Sequence, residues 1–405
     1  MFKKRKDGRR FPAFAEIVIR LGIQSFSRVM WRPEVINRGR FLNLEKPCFV
    51  YGNHSQNFDP FILNMFTHWN NSTAGVLTQE YFRGKIMNAG MRGISLIPTK
   101  KHVPEPHIIR QIFQQIKYER SFLIYPEGGR RWAGLPIPWI ESSAKIFTKL
   151  GVPVYPIVTH GSYISWPRWA KYPRPAKLKL QVYDPLYFDK KTPLSEVVAK
   201  LKAPLDIDEN IVPDELKPKW AYRPADGIHR LLYRDLESGK NGGIFTTDGT
   251  YVENSAGTIR YKMLPDSTLL DEKSGEVFTT GGLYTEITNM PIESDDQGVV
   301  IRETVDLREE LSFPDLIPYG KAEITLYDDA VRIKAKDYNA TLGLEKILYV
   351  GTERNSKAQL FLKDKMIQFN FLGAGSALQW QDTILRMKKR ASDQSTSAHV
   401  STSAT

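Results

Sequence analysis

The stretch Pro47-Cys48-Phe49-Val50-Tyr51-Gly52-Asn53-His54-Ser55-Gln56-Asn57-Phe58-Asp59-Pro60 decides the reading of the N-terminal half of the chain. Pro47 to Tyr51 is a short apolar run rich in β-branched and aromatic residues, the pattern of a buried strand. Gly52-Asn53 is a breaker pair that ends it. Asp59-Pro60 reads as a helix start, with Asp as cap and Pro at the first helical position. His54 therefore follows a strand end, where α/β sheets place their chemistry. On a regular helix a five-residue spacing would hold His54 and Asp59 roughly 140° apart. They meet only if Ser55 to Phe58 form a turn. Asp59 then accepts a hydrogen bond from one imidazole nitrogen and leaves the other to take a proton. Alone, a His-x4-Asp spacing is more often a loop histidine beside a helix cap.

A second segment changes that balance. Ser121 to Tyr125 is another buried-strand pattern, and Pro126-Glu127-Gly128-Gly129 turns the chain before Arg130-Arg131. Two glycines let backbone N–H groups approach an anion closely. Arg130 can form a bidentate pair with a phosphate, and Glu127 can hold that arginine or contact an acceptor.

Asn53-His54-x4-Asp59 and Tyr125-Pro126-Glu127-Gly128-Gly129-Arg130 resemble motifs I and III of the glycerolipid acyltransferases, the superfamily of the 1-acylglycerol-3-phosphate acyltransferases and their lysophospholipid relatives. Gly93-Ile94-Ser95-Leu96-Ile97-Pro98 resembles motif II, and Val152-Pro153-Val154-Tyr155-Pro156-Ile157 motif IV. The resemblance covers roughly residues 40 to 190. Two positions depart from it. Motif II usually ends in an arginine for the acceptor's phosphate, where this chain has Thr99 followed by Lys100 and Lys101. Motif III usually has threonine where Gly129 stands.

The resemblance implies an α/β acyltransferase domain, a mixed sheet flanked by helices. It implies His54 as general base on an acceptor hydroxyl and Asp59 as the group that orients it. Asn53, Lys100, Glu127, Gly128, Gly129 and Arg130 would shape the acceptor site. The co-substrate would be acyl-CoA or acyl-carrier protein, with no metal and no cofactor. The expected acceptor is 1-acylglycerol 3-phosphate, giving phosphatidic acid. Glycerol 3-phosphate, another lysophospholipid or a lysoglycolipid is the alternative. A non-enzymatic basic protein binding lipid or nucleic acid is the third reading, disfavoured by the joint retention of His54, Asp59, Glu127 and Arg130. Cys48, the one cysteine, lies in an apolar strand and reads as a small buried hydrophobe rather than a nucleophile.

A single cysteine excludes an internal disulfide and fits a reducing compartment. The net charge of +12 is uneven: residues 1–240 carry 39 Lys and Arg against 21 Asp and Glu, and the rest carry 18 against 24. The basic surface thus belongs to the motif-bearing half, where it can face anionic lipid or nucleic acid. Trp and Tyr mixed with cations over residues 163–179 favour the lipid surface over nucleic acid. A basic cluster at residues 1–10 precedes Phe11 to Met30, where Glu16, Arg20, Gln24 and Arg28 recur as a polar stripe on an apolar helix. This reads as an interfacial helix for the cytoplasmic side of a membrane, peripheral or monotopic.

The expected organisation is five segments. Residues 1–35 form the interfacial region and 36–225 the acyltransferase domain, with a proline-interrupted boundary at 201–225. Residues 226–315 form a β-meander marked by Gly242-Gly243, Asp248-Gly249, Ser274-Gly275 and Gly281-Gly282. Residues 316–390 form a β-rich domain ending in a helix from about Ala377 to Lys389, loosely resembling pleckstrin-homology-like barrels. Residues 391–405 are Ser/Thr-rich and read as a disordered tail.

Overall fold

The computed structural model describes residues 14–67, 73–100, 105–139 and 141–402. The chain forms two compact units, one of residues up to 224 with the turn Leu264–Thr268, the other of residues 225–263 and those from 269 onward.

The first unit is a seven-stranded mixed sheet. Its strands are β1 (Glu34–Ile36), β2 (Cys48–Tyr51), β3 (Ala74–Thr78), β4 (Leu96–Thr99), β5 (Ser121–Ile124), β6 (Val154–His160) and β7 (Lys179–Val182). They lie in the order β1-β7-β6-β2-β5-β3-β4, and only the β6–β7 pair is antiparallel. β2 pairs with β5 and β6 along its two edges and packs apolar side chains on both faces, and its sequence is apolar at every position for that reason. Phe49 and Tyr51 join Phe122, Val158, Phe147 and the helix Pro106–Lys117 on one face. Cys48 and Val50 join Trp31, Ile62, Leu123 and Leu180 on the other. That helix buries Ile108, Ile112 and Ile116, spaced by four to follow one face. Gly52 lets the chain leave β2 tightly, because a Cβ there would overlap the Ile157 carbonyl oxygen.

The N-terminal helical stretch departs from expectation in orientation. It runs as Phe14–Val18, a π-helical turn Ile19–Ile23, and Gln24–Trp31. The polar stripe is split: Glu16 and Gln24 are buried, as is the neighbouring Ser27, with Gln24 Nε2 donating to the Phe61 carbonyl, while Arg28 is exposed. Leu21 and Val29 face outward at 64% and 77% exposure. The π turn resets the helical phase between the two α segments, which a uniform four-residue periodicity does not anticipate. Nor is this stretch separate from the domain. Trp31 is fully buried against Phe26, Phe58 and Trp166, and β1 pairs with β7. The basic cluster at residues 1–10 lies outside the described residues. Among the described residues no helix is long and apolar enough to cross a membrane.

The Trp/Tyr/cation stretch at 163–179 is packed rather than presented. Trp169 and Arg174 are buried, with Arg174 donating to the Ile164 and Pro224 carbonyls and Arg168 stacked over Trp132. The proline-interrupted segment after residue 202 also packs inward, burying Leu205, Glu209 and Leu216.

The second unit holds two antiparallel sheets. β8 (Ile244–Thr247), β9 (Tyr251–Asn254), β10 (Arg260–Met263), β11 (Thr268–Asp271) and β12 (Val277–Thr279) follow one another as a meander. Asp248 and Gly249, both left-handed, make the β8–β9 turn. The second sheet contains β13 (Val299–Glu310), β14 (Ile317–Tyr327), β15 (Ala330–Ala335), β16 (Asn339–Gly343), β17 (Tyr349–Glu353), β18 (Lys357–Phe361) and β19 (Met366–Phe371). Their order is β16-β15-β14-β13-β19-β18-β17. The expected division at 315/316 therefore falls inside one sheet, because β13 pairs with both β14 and β19. The helix Ala377–Thr402 packs Trp380 against Phe369. It continues through the Ser/Thr-rich segment expected to be disordered. Extending a formed helix costs far less than nucleating one, so the tertiary anchor at Trp380 carries it onward.

Gly52→Ala should cost about 1–3 kcal/mol through the forced overlap with the Ile157 carbonyl. Urea denaturation of the two chains measures this; an unchanged midpoint would show that the β2 turn has room to relax.

Candidate active site

β2, β4, β5 and β6 run parallel through their neighbours, so the residues following them gather at one edge of the sheet. The turn after β2 carries His54. Its Nδ1 lies 2.9 Å from Asp59 Oδ2. The same carboxylate accepts the backbone N–H groups of Ser55 at 2.8 Å and Gln56 at 3.0 Å, and its Oδ1 accepts the Ser162 hydroxyl at 2.5 Å. Asp59 opens the helix Asp59–Asn64 as expected but does not cap it. Its bonds to His54, Ser55 and Gln56 instead close the turn that brings it back to His54, and the bond from Ser162 anchors it from a distant segment. With Nδ1–H donated to Asp59, Nε2 is the ring nitrogen suited to proton transfer.

The imidazole stacks on the Tyr125 ring, with centroids 4.3 Å apart and planes 21° from parallel. An imidazolium formed there would lie on the negative face of the phenol ring. Burial, reinforced by the nearby Asp59 charge, holds the Tyr125 hydroxyl well above its ordinary pKa, so it stays neutral.

The turn after β5 is arranged differently from expectation. Glu127 does not hold Arg130. It makes a buried pair with Arg131, its Oε1 accepting from Nη2 at 2.6 Å and from Nε at 3.0 Å and its Oε2 accepting from Nε at 3.1 Å. Arg131 also donates to the carbonyls of Leu205 at 2.6 Å and Ile207 at 3.1 Å, and its backbone N–H meets the His54 carbonyl at 2.8 Å. Burial lowers the Arg131 pKa, but Glu209 and Glu127 more than offset this and hold the guanidinium charged. Glu127 is thus the counter-ion of Arg131, buried beside it. Sequence spacing could not choose between the adjacent arginines.

Arg130 is half-buried, with Tyr81 and Asp59 close enough to offset part of the burial that lowers its pKa. Its carbonyl accepts from Arg168 at 3.1 Å. Gly128 takes a left-handed φ of 68°, and its N–H closes the turn onto the Tyr125 carbonyl. A Cβ on Gly129 would meet open space. Threonine's side chain would therefore fit at Gly129, while the left-handed turn needs Gly128.

Two further expected acceptor residues are not assembled with this group. Asn53 is buried between β2 and β6. Its Oδ1 accepts the Thr159 N–H at 2.8 Å, and its Nδ2 donates to the Thr159 carbonyl and to Glu209. Its polar atoms tie strands together rather than face an acceptor. Lys100 follows β4, three strands from β2, about 14 Å across the sheet at ~4.8 Å per strand. Its backbone N–H is held by Glu105. Lys101 is outside the described residues.

Glu209, Tyr125, Ser162 and Arg131 are the site residues that motif reading passes over. Tyr125 opens the motif III segment and Arg131 follows it, but nothing in the sequence ties Ser162 or Glu209 to His54. Cys48 lies behind the site, buried, its thiol pushed up to about 11 chiefly by burial. Among the described residues, no cluster of His, Cys, Asp or Glu could hold a metal ion.

Residues 32–160 match the family model described as Acyltransferase. No curated protein matches the chain. Among solved structures, the 1-acyl-sn-glycerophosphate acyltransferase PlsC from Thermotoga maritima is similar over 47% of this chain and 78% of its own, at 19% identity and a TM-score of 0.40. The N-terminal PH domain of human ARAP2 is similar over 25% of this chain and 88% of its own, at 13% identity and a TM-score of 0.20.

Burial pushes the Glu209 carboxyl up to about 7, against the pull of Arg131 and the Ser55 hydroxyl. The folded chain therefore holds this proton more tightly than the unfolded chain, whose carboxyl titrates near 4.5. The resulting stability is fully present below about 4.5 and lost as pH rises through about 7. Thermal melts from pH 4.5 to 8 should show the wild type losing stability relative to Glu209→Gln up to about pH 7 and no further. A constant difference would mean the carboxyl is ionised throughout.

Proposed function

We propose that the chain transfers a fatty acyl group from a thioester to the free hydroxyl of 1-acylglycerol 3-phosphate, giving phosphatidic acid. The observation that carries this reading is the 2.9 Å His54–Asp59 contact at the sheet edge where Arg130 also lies. His54 Nε2 takes the proton of the acceptor hydroxyl as its oxygen attacks the acyl carbonyl. The C–O bond forms, the C–S bond breaks, and the imidazolium returns its proton to the departing thiolate. Asp59 and the Tyr125 ring stabilise the imidazolium between those events. A thioester is reactive enough for attack by a positioned, base-assisted hydroxyl, so no acyl-enzyme is required. Arg130 binds the acceptor phosphate, and the Gly128–Gly129 backbone leaves room beside it. Acyl-CoA or acyl-carrier protein serves as donor.

We further read the chain as a peripheral protein of an anionic membrane surface on the cytoplasmic side. Leu21 and Val29 on the N-terminal helices, and Ile86 on the helix Lys85–Gly93, are 64–88% exposed and apolar. Such outward residues favour a hydrocarbon boundary over water. The seven antiparallel strands β13–β19 followed by a helix support a pleckstrin-homology-like reading of that sheet, as a ligand- or partner-binding module.

Acyl transfer from labelled acyl-CoA or acyl-carrier protein tests the proposal on a panel of lysophosphatidic acid, glycerol 3-phosphate, neutral lysophospholipids and a lysoglycolipid. His54→Ala should lower kcat by ~10²–10⁴-fold. Arg130→Ala should weaken use of phosphate-bearing acceptors by roughly 10–100-fold, the loss of a charge-assisted hydrogen bond. A different preferred acceptor would reassign the head group. Wild-type turnover that survives His54→Ala would remove the base mechanism.

A further inference from the structure

Glu209 lies 49 residues beyond the last position matched by the family model, residue 160. It is nevertheless buried beneath the catalytic turn. Its Oε1 accepts Asn53 Nδ2 at 2.6 Å, and its Oε2 accepts a short hydrogen bond from the Ser55 hydroxyl. Arg131 Nη1 stands 3.4 Å from that same oxygen. The groups meeting it are an amide, a hydroxyl and a guanidinium, all able to donate, and the ionised carboxylate, the form favoured above about pH 7, has the two acceptor oxygens that satisfy all three.

The segment bearing Glu209 is fixed in place by its own bonds. Its N–H donates to the Gly134 carbonyl at 2.8 Å, and Asn210 Nδ2 donates to the Ala133 carbonyl at 2.8 Å. Arg131 holds the carbonyls of Leu205 and Ile207. Residues 205–210 therefore form a strap bonded along residues 131–134.

Ser55 connects the strap to the chemistry. Its N–H is bonded to Asp59, and its hydroxyl to Glu209. Asn53 and Ser55 are the two residues that flank His54, so Glu209 grips the chain on both sides of it. We propose that Glu209 is a positioning residue for the His54 base, holding Asn53 and Ser55 so that the imidazole stays aligned with Asp59. This rests on the acyl-transfer reading above. Glu209 touches neither acceptor nor donor, so its effect belongs in turnover rather than in binding.

The test is a double-mutant cycle on the full chain, with Glu209→Gln, Ser55→Ala and the pair. Ser55→Ala cuts the link while leaving the Glu209–Arg131 pair intact, so it reports even if Glu209→Gln folds poorly. Each single variant should lower kcat roughly 10–100-fold with KM for lysophosphatidic acid and acyl-CoA within about twofold, the expected result of misplacing a base by a fraction of an ångström to an ångström. The pair should be no slower than the slower single variant, since both cut one linkage. Proton NMR of the His54 ring, assigned by the signal lost in His54→Ala, reads the Nδ1–H···Asp59 bond without turnover. That signal should shift or broaden in both single variants. Full kcat in a folded variant, a KM effect alone, or single effects that multiply in the pair would overturn the inference. If the wild type transfers no acyl group, the functional reading fails by itself. The NMR signal then decides Glu209 separately: an unmoved His54 resonance refutes positioning, and a moved one upholds it.

Discussion

Arg131 is the cation around which the α/β unit closes. A guanidinium taken out of water costs several kcal/mol unless its donors are met and its charge is balanced. Here Glu127 meets it from the same turn, Glu209 from a distant segment, and the carbonyls of Leu205 and Ile207 complete the set. Its backbone N–H reaches the His54 carbonyl as well. Three pieces of chain remote in sequence thus converge on one buried charge. Removing either carboxylate would leave the guanidinium short of a counter-charge in a dry interior, which is a stronger constraint than any single apolar contact nearby.

The geometry around His54 follows from that constraint. Glu127 and Glu209 meet the buried Arg131, while Asp59 lies close to Arg130. Asp59 is the carboxylate that meets the imidazole directly, at 2.9 Å from Nδ1. Tyr125 adds the face of its ring. Burial and mutual repulsion limit how many of these carboxyls ionise together, and Glu209 is the one whose pKa moves into the neutral range.

The sequence made the motif-bearing half legible because its signals are local. A four-residue apolar strand, a Gly-Asn break and an Asp-Pro helix start each depend on neighbours, and β2, the turn and the following helix appear where those residues put them. The His54–Asp59 pairing was legible for the same reason. What could not be read was long-range. The choice of Arg131 over Arg130 as Glu127's partner depends on carbonyls some 75 residues away. The inward turn of Glu16 and Gln24 depends on a π-helical phase shift that a four-residue period hides. The membership of β13 in the second sheet depends on its pairing with β19. Burial of Trp169 and Arg174 reversed a surface reading drawn from composition, because aromatic and basic side chains serve a packed loop as readily as a lipid interface.

The strap at residues 205–210 also has a bearing on how the chain is made. The Ser55–Glu209 bond spans 154 residues. At ~5–20 residues per second of synthesis, about 8–30 s separate the emergence of the His54 turn from that of the carboxylate that grips it. During that interval β2 can pair only with strands already made, and Arg131, once made, has Glu127 alone as a carboxylate partner. The nascent domain must therefore pass through a stage with an incompletely neutralised interior and an unbraced catalytic turn. A ribosome pausing before residue 209 would hold it in that stage, where chaperones rather than its own packing would have to protect it.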